Sequence, residues 1–265
     1  MTIQFSLLAP HVPSMCHEAD VPDYQQPMVD SMKEVKEQMD RDRPDAIVLV
    51  SCHWPSTFSH YVDATPKHEG ILTAFECPDL IKDVPYSFQG DPELALQLVE
   101  AGKKHDLQVT SVNDPFYVWD YGSVVPLRYL TPDGDIPVVN LSVTLAASLE
   151  ETYKWGKAVK KVLDESDKKI VFISSGALSH RLVRGRENKP TTSEHAMDKV
   201  FIQFIMDKDY DSAYAMLPQY ARLAGVESGG RHLAMLLAIL EDTDEPTFYS
   251  AAQSSGSWNA VMTFR

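Results

Sequence analysis

The sequence predicts an α/β fold, in which a central mixed sheet is flanked by helices and the functional site lies at the carboxyl ends of the strands. Three observations point there. Short apolar segments rich in β-branched residues alternate with longer segments of helical period. Several helical segments open on recognisable caps. Three histidines fall within a few residues of strand ends, where the loops of an open α/β sheet converge on a ligand crevice.

The first two strand candidates are Ile3 to Leu8 and Ala46 to Ser51. Between them, Met28, Met32, Val35 and Met39 recur at spacings of four, three and four. All four therefore share one helical face, with Lys33, Glu34, Lys36 and Glu37 pointing elsewhere, and the helix is expected to pack on the sheet. Asp91-Pro92 supplies an N-cap and a first-turn proline for a helix to about His105, buried through Leu94, Leu98 and Ala101. Gln108 to Val112 and Pro137 to Val143 are the next strands. Ser148-Leu149-Glu150-Glu151 reads as a capping box opening a helix that ends near Glu165, and Lys169 to Ser174 is the strand after it. Helical patterns follow at Ser193 to Met206, Tyr210 to Leu217 and Gly230 to Leu240. Two strands, Thr247 to Ala252 and Asn259 to Phe264, close the sheet. No repeat, low-complexity tract or composition break divides the 265 residues, so one domain over residues 1–265 is expected.

The charge balance excludes several partners. With 24 Lys+Arg against 38 Asp+Glu, the formal net charge of -14 repels phosphate backbones and anionic membrane surfaces. The longest strongly apolar run, Leu233 to Leu240, is about eight residues against the roughly 20 needed to span a bilayer. Met1 to Pro10 lacks a basic n-region, so no leader is expected and the Asn140-Leu141-Ser142 triplet has no route to glycosylation. Cys16, Cys52 and Cys77 form an odd set without Cys-x-x-Cys spacing, which argues against a disulfide framework and a thiolate zinc site. A cytoplasmic protein is the expectation.

No G-x-G-x-x-G, G-x-x-x-x-G-K or G-x-S-x-G is present, which removes the usual nucleotide-binding and nucleophile-elbow classes. His11 sits in Pro10-His11-Val12-Pro13, where two prolines hold the backbone extended. His53 follows an apolar strand in Ser51-Cys52-His53-Trp54 and is preferred over its rival His60, which precedes another short strand. His180 follows the small-residue stretch Ser174-Ser175-Gly176-Ala177-Leu178-Ser179, a loop able to approach a ligand closely. Glu227 lies between glycines in Gly225-Val226-Glu227-Ser228-Gly229-Gly230, where it is either a ligand or a first-turn glutamate complementing a helix dipole. Two histidines and one carboxylate around a metal leave coordination positions open, the arrangement of non-haem Fe(II) oxygenases, and a third histidine is left over.

The segments Pro10-His11-Val12-Pro13-Ser14, Ser51-Cys52-His53-Trp54, Ser175 to His180 and Gly225-Val226-Glu227-Ser228-Gly229 resemble, in order, the motifs of the class III extradiol ring-cleavage dioxygenases, the family of the protocatechuate 4,5-dioxygenase catalytic subunit. A fifth stretch, Trp119-Asp120-Tyr121-Gly122-Ser123-Val124-Val125-Pro126-Leu127, is similar to that family's Asp-His-Gly...Val-Pro-Leu segment. The resemblance implies that His11, His53 and Glu227 hold Fe(II), or Mn(II) with the same ligands, and that His180 is the acid/base. Tyr121 stands where many members carry histidine. This looks like the 2-aminophenol 1,6-dioxygenase branch, as do the stretches around His68-Glu69-Gly70 and Gly90 to Ala95.

The implied reaction is ring opening of a 2-aminophenol or a catechol by O2 to a semialdehyde. His180, with an ordinary pKa of about 6.5, would take the phenolic proton and later return one. Tyr121 would hydrogen-bond the substrate. The family further implies a homo-oligomer or a hetero-oligomer with a related subunit. A metal-dependent hydrolase on the same residues and a non-enzymatic relative with a binding role are the alternatives. Trp54, Phe58, Phe116 and Tyr117 are candidates for an aromatic pocket, and Arg181 and Arg184 for binding a substrate carboxylate. His17, His68, His105, His195 and His232 are read as surface or structural.

Overall fold

The computed structural model describes residues 3–265. The elements in chain order are β1 (Ile3–Ala9), α1 (Gln26–Arg41), β2 (Ala46–Ser56), β3 (His60–Asp63), β4 (Lys67–Leu72), β5 (Val84–Gln89), α2 (Pro92–Lys104), β6 (Val109–Val112), α3 (Tyr121–Leu130), β7 (Val138–Thr144), α4 (Leu149–Glu165), β8 (Ile170–Ser175), α5 (Thr192–Met206), α6 (Tyr210–Ala224), α7 (Arg231–Ile239), β9 (Pro246–Ser254) and β10 (Ser257–Phe264). Eight strands form one mixed sheet in the order β6-β3-β7-β2-β8-β1-β10-β9, and β4 and β5 pair as a separate antiparallel hairpin.

At the centre of the sheet, β2, β8 and β1 run parallel in adjacent positions, with Ser51 opposite Ser175 and Ala9 opposite Ser175 on the other side. Their carboxyl ends therefore open side by side. On the flank, β10 and β9 return antiparallel to β1. Helices cover both faces. One face packs α1, α3 and the hairpin through Met28, Met32, Val124, Leu127, Tyr86 and Phe88. The other packs α2, α4, α5, α6 and α7 through residues such as Leu94, Trp155, Phe201, Tyr220 and Leu236. The expected methionine stripe of α1 is fully buried, and each such side chain contributes about 1.5–3 kcal/mol.

The caps behave as chemistry requires, with one exchange. Asp91 accepts from the Leu94 N–H at 3.1 Å, and Ser148 accepts from the Glu151 N–H at 3.0 Å. The reciprocal half of the capping box expected at Ser148 and Glu151 does not form, because the Glu151 carboxylate turns to His60 Nε2 at 3.3 Å. The complete box forms at Thr191 and Glu194 instead. Helix α6 runs past the expected Leu217 to Ala224, carrying Pro218 within it. Among the described residues no helix is long and apolar enough to cross a membrane, and Cys16, Cys52 and Cys77 are unpaired thiols.

Candidate metal centre

Three adjacent strands and one irregular turn deliver the candidate residues. His11 lies two residues beyond β1, and Pro13 starts a short 3-10 turn, Pro13–Met15, that fixes the exit from the strand. His53 lies inside β2 rather than beyond it. The pairing of β2 with β7 jumps from Ser51–Ser142 to Pro55–Val143, so Cys52, His53 and Trp54 loop out of the ladder as a bulge. His180 ends the loop that leaves β8. That loop is stitched down by Leu178 N–H to Trp258 O at 2.9 Å, and by the Ser179 N–H and hydroxyl donating to the buried Asp198 carboxylate at 3.0 and 2.7 Å. Tyr220 donates to the same carboxylate at 2.6 Å.

Glu227 follows Gly225, whose φ of 61° closes α6 in the left-handed region. Ser228, Gly229 and Gly230 continue at φ of 49°, 62° and 78°. A serine there costs on the order of 1 kcal/mol, and its hydroxyl donates to the Cys52 carbonyl at 3.2 Å, tying this turn to the β2 bulge.

The four side chains meet around one oxygen. Glu227 Oε1 lies 3.1 Å from His11 Nε2, 3.2 Å from His53 Nε2 and 3.8 Å from His180 Nε2. The other carboxylate oxygen accepts the Ala177 N–H at 2.6 Å. Burial alone would raise the Glu227 carboxyl, yet the charge and hydrogen bonds of the surrounding histidines hold it well below the usual range. Burial pulls His53 down, but the Glu227 carboxylate 3.2 Å away outweighs it and leaves the imidazole above its ordinary value. For His180 burial wins, helped by the nearby His11 and His53, and its pKa falls. A buried carboxylate ringed by imidazoles is a site that calls for positive charge.

His11, His53 and Glu227 each offer a ligand atom, and these atoms lie within 4.8 Å of one another. His53 Nε2 is buried with no hydrogen-bond partner of good geometry, which is the state expected of a nitrogen held for a cation. The outward nitrogens fit too. His11 Nδ1 lies 3.0 Å from Ser175 Oγ, and His53 Nδ1 faces Glu76 Oε1 at 3.6 Å. Two imidazoles and a carboxylate are the donors that suit Fe(II). His60, the rival of His53, lies elsewhere, with Nδ1 2.9 Å from Thr144 Oγ1.

The sequence profile for the catalytic LigB subunit of aromatic ring-opening dioxygenases matches residues 6–263. The chain belongs to the LigB family. It is an extradiol ring-cleaving dioxygenase. It is 27% identical over 241 residues to the 3,4-dihydroxyphenylacetate 2,3-dioxygenase of Escherichia coli, covering 87% of each chain. It is 25% identical over 279 residues to the 2-aminophenol 1,6-dioxygenase beta subunit of a Pseudomonas species, covering 96% of this chain and 91% of that one. A solved structure of an uncharacterized Escherichia coli K12 protein shares the fold, with a TM-score of 0.65 at 23% identity, over 89% of this chain and 91% of the other. These matches lend no support to the hydrolase alternative.

In this LigB-family chain a cavity of about 300 Å³ opens over the cluster, reaching His11, His53, His180 and Tyr121. Tyr121 starts α3, with its ring centroid 3.9 Å from that of His53 and 5.7 Å from that of His11. Burial, with the Glu76 charge next in size, pushes its phenol far up, so it stays protonated. The proposed aromatic wall is not where the sequence suggested. Trp54 is buried against Tyr61 and Tyr117, while Phe58 and Phe116 face outward away from the cavity lining. Arg181 is drawn off by Glu194 and by the carbonyls of Arg222 and Leu223, and Arg184 does not reach the cavity. Arg186 does, as do Glu76 and Cys77 from the segment between β4 and β5. None of the three carries a periodicity or motif that sequence reasoning could have used.

His68 and His232 are buried, as structural residues. His68 stacks on Trp119 with centroids 4.2 Å apart and shares Asp63 with the indole N–H. His232 packs behind Gly176, and burial pushes its pKa down to about 4.

Proposed function

We propose that residues 1–265 act as one catalytic domain that opens the ring of a 2-aminophenol or a catechol with O2, giving a semialdehyde. In this reading His11, His53 and Glu227 hold Fe(II), His180 is the acid/base, and Tyr121 hydrogen-bonds the substrate. The observation that carries it is the convergence of three imidazole nitrogens on one buried carboxylate oxygen beneath a cavity of aromatic-ring size. Bound there, Fe(II) supplies the redox and Lewis-acid chemistry that O2 activation requires.

The chain's own residues do the rest. Glu227 is anchored through Ala177, so one oxygen is kept free for the cation while the other is spent on the backbone. His180 is neutral at physiological pH because burial lowers its pKa, so it is ready to accept the substrate's hydroxyl proton. Tyr121 keeps its proton and holds the polar edge of the ring. Val12, Pro13, Leu80, Leu182 and Val183 supply apolar lining that keeps the aromatic face out of water.

A cytoplasmic location is part of the proposal, and so is an assembly, either of like chains or with a related subunit. The similarity to a protein named as a beta subunit supports the latter. The test is O2 uptake and ring-opening absorbance after anaerobic loading with Fe(II), using 2-aminophenol, catechol and protocatechuate in parallel. Turnover of at least one supports the reading. An iron-loaded protein that consumes no O2 with any of them, alone or with a related subunit added, overturns it.

A further inference from the structure

One carboxylate beside the site has no part in the proposed ligand set or proton transfers. Asp120 stands at the amino end of α3, immediately before Tyr121, and its Oδ1 serves two elements at once. It accepts the Ser123 N–H at 3.0 Å, which caps the helix, and the Ser51 hydroxyl of β2 at 2.6 Å. Ser51 is fully buried at the last paired position before the β2 bulge, and its oxygen in turn accepts the His53 N–H at 3.2 Å. The other Asp120 oxygen accepts the Ser123 hydroxyl at 3.2 Å, and Asn140 Nδ2 of β7 donates to that hydroxyl at 2.7 Å. An unbroken run of hydrogen bonds thus joins the bulge that carries His53 to the helical turn that carries Tyr121.

The bulge needs such a tie. Cys52, His53 and Trp54 have no register partner in β7 or β8, and a backbone that leaves its ladder is set by whatever hydrogen bonds replace it. For His53 the replacement is Ser51 Oγ, aimed by Asp120. The fit is close: a Cβ on Gly122 would lie 2.4 Å from Ser51 Oγ, 3.0 Å from Asp120 Oδ1 and 3.3 Å from His53 Cβ, so the glycine lets helix and bulge touch. The ring centroids of His53 and Tyr121 are 3.9 Å apart as a result. The same turn of α3 also reaches His11, since the Gly122 carbonyl accepts from the Ser175 hydroxyl that lies 3.0 Å from His11 Nδ1.

We propose that Asp120 is a positioning residue: by accepting from Ser51 and Ser123 through one oxygen, it locks the β2 bulge to the start of α3 and holds the ligand His53 and the substrate contact Tyr121 in one frame. This rests on the ligand reading above and deepens it. The capping and linking roles of Asp120 can be separated. Serine caps a helix about as well as aspartate but is one bond shorter, so Asp120→Ser keeps the cap and lets go of Ser51. Ser51→Ala cuts the same link and leaves the cap alone. Asp120→Asn keeps an oxygen for both donors and removes the charge.

The experiment measures Fe(II) affinity by anaerobic competition with a chelator and records the imidazole nitrogen NMR signals of the metal-free protein, with those of His53 assigned through His53→Gln. Unfolding midpoints in denaturant report on the cap. Asp120→Ser and Ser51→Ala are each expected to lower Fe(II) affinity by about tenfold or more and to shift the His53 signals while those of His60 stay in place, and Asp120→Asn is expected to remain within about threefold of the wild type. An affinity within about twofold of the wild type in both link-cutting variants overturns the proposal, even where the unfolding midpoint falls, since Asp120 would then be a cap alone. An Asp120→Asn protein that loses as much affinity as Asp120→Ser also overturns it, because charge and not geometry would then be acting. Wild-type protein that takes up no Fe(II) would count against the ligand reading, and the metal-free spectrum then decides the role of Asp120: His53 signals that move in both link-cutting variants sustain it, and signals that stay in place overturn it.

Discussion

Ser175 Oγ lies 3.0 Å from His11 Nδ1 and donates its own proton to the Gly122 carbonyl at 2.5 Å. The hydroxyl can therefore only accept from the imidazole, which puts a proton on Nδ1 and makes Nε2, 3.1 Å from Glu227 Oε1, the nitrogen that would turn its lone pair to a cation. The tautomer that can bind a metal is thus set by a residue one strand away. Ser175→Ala is expected to lower Fe(II) affinity by about 10–100-fold, read by competition with a chelator. An unchanged affinity would mean that the serine only fills space.

Glu227 and His180 are expected to separate cleanly. Glu227→Gln replaces the free oxygen or the Ala177 acceptor with an amide, and bound iron should be lost along with activity. His180→Gln should retain iron while kcat falls by about 10²–10⁴-fold, the usual worth of a positioned acid/base. Loss of iron from the His180 variant would place it among the ligands instead.

His60 links acid pH to stability. It is 1% exposed, and burial lowers its pKa although the Glu151 charge pulls the other way. The unfolded chain, with an ordinary value of about 6.5, therefore takes up a proton more readily than the folded one as pH falls. The stability tied to His60 is full above that value and is lost as pH drops below it. His60→Gln is expected to flatten the fall of the unfolding midpoint between neutral and mildly acid pH, measured in denaturant, relative to the wild type.

Gly176 is held small by its neighbours. A Cβ there would lie 2.5 Å from His232 Cδ2, 2.6 Å from its Nε2 and 2.8 Å from Cys52 Sγ, all buried. Gly176→Ala should destabilise by about 1–3 kcal/mol through overpacking and disturb the loop carrying Ala177 and His180. A thermal midpoint within a degree of wild type would show that His232 can turn aside.

Much of the fold was legible because its central strands are short apolar runs and its helices begin on caps. The expected strands at Ile3, Ala46, Pro137 and Lys169 are β1, β2, β7 and β8 to within a few residues. The hairpin of β4 and β5 was not predicted, since alternate residues such as Lys67, Glu69, Pro85 and Ser87 are exposed and leave only a weak apolar signal. Helix α3 was missed for a related reason: Gly122 and Pro126 break a helical reading of a segment that buries nearly every side chain. Within the site, His11, His53, His180, Tyr121 and Glu227 were reachable through strand ends and ordered motifs. Ser175 was named only as part of a loop, and Glu76 and Arg186 reach the cavity through positions in space that no spacing along the chain encodes.

The cluster draws its members from residue 11 to residue 227, and three of them hang from β1, β2 and β8, which are neighbours only once the parallel sheet is paired. A half-folded chain has no such pocket of nitrogens. An ion held there would bind the native topology and not the open chain, so it acts as a fastener on the whole sheet. Its grip follows mass action: at a free concentration 100 times the dissociation constant it adds about 2.7 kcal/mol to global stability, and a chelator takes that away.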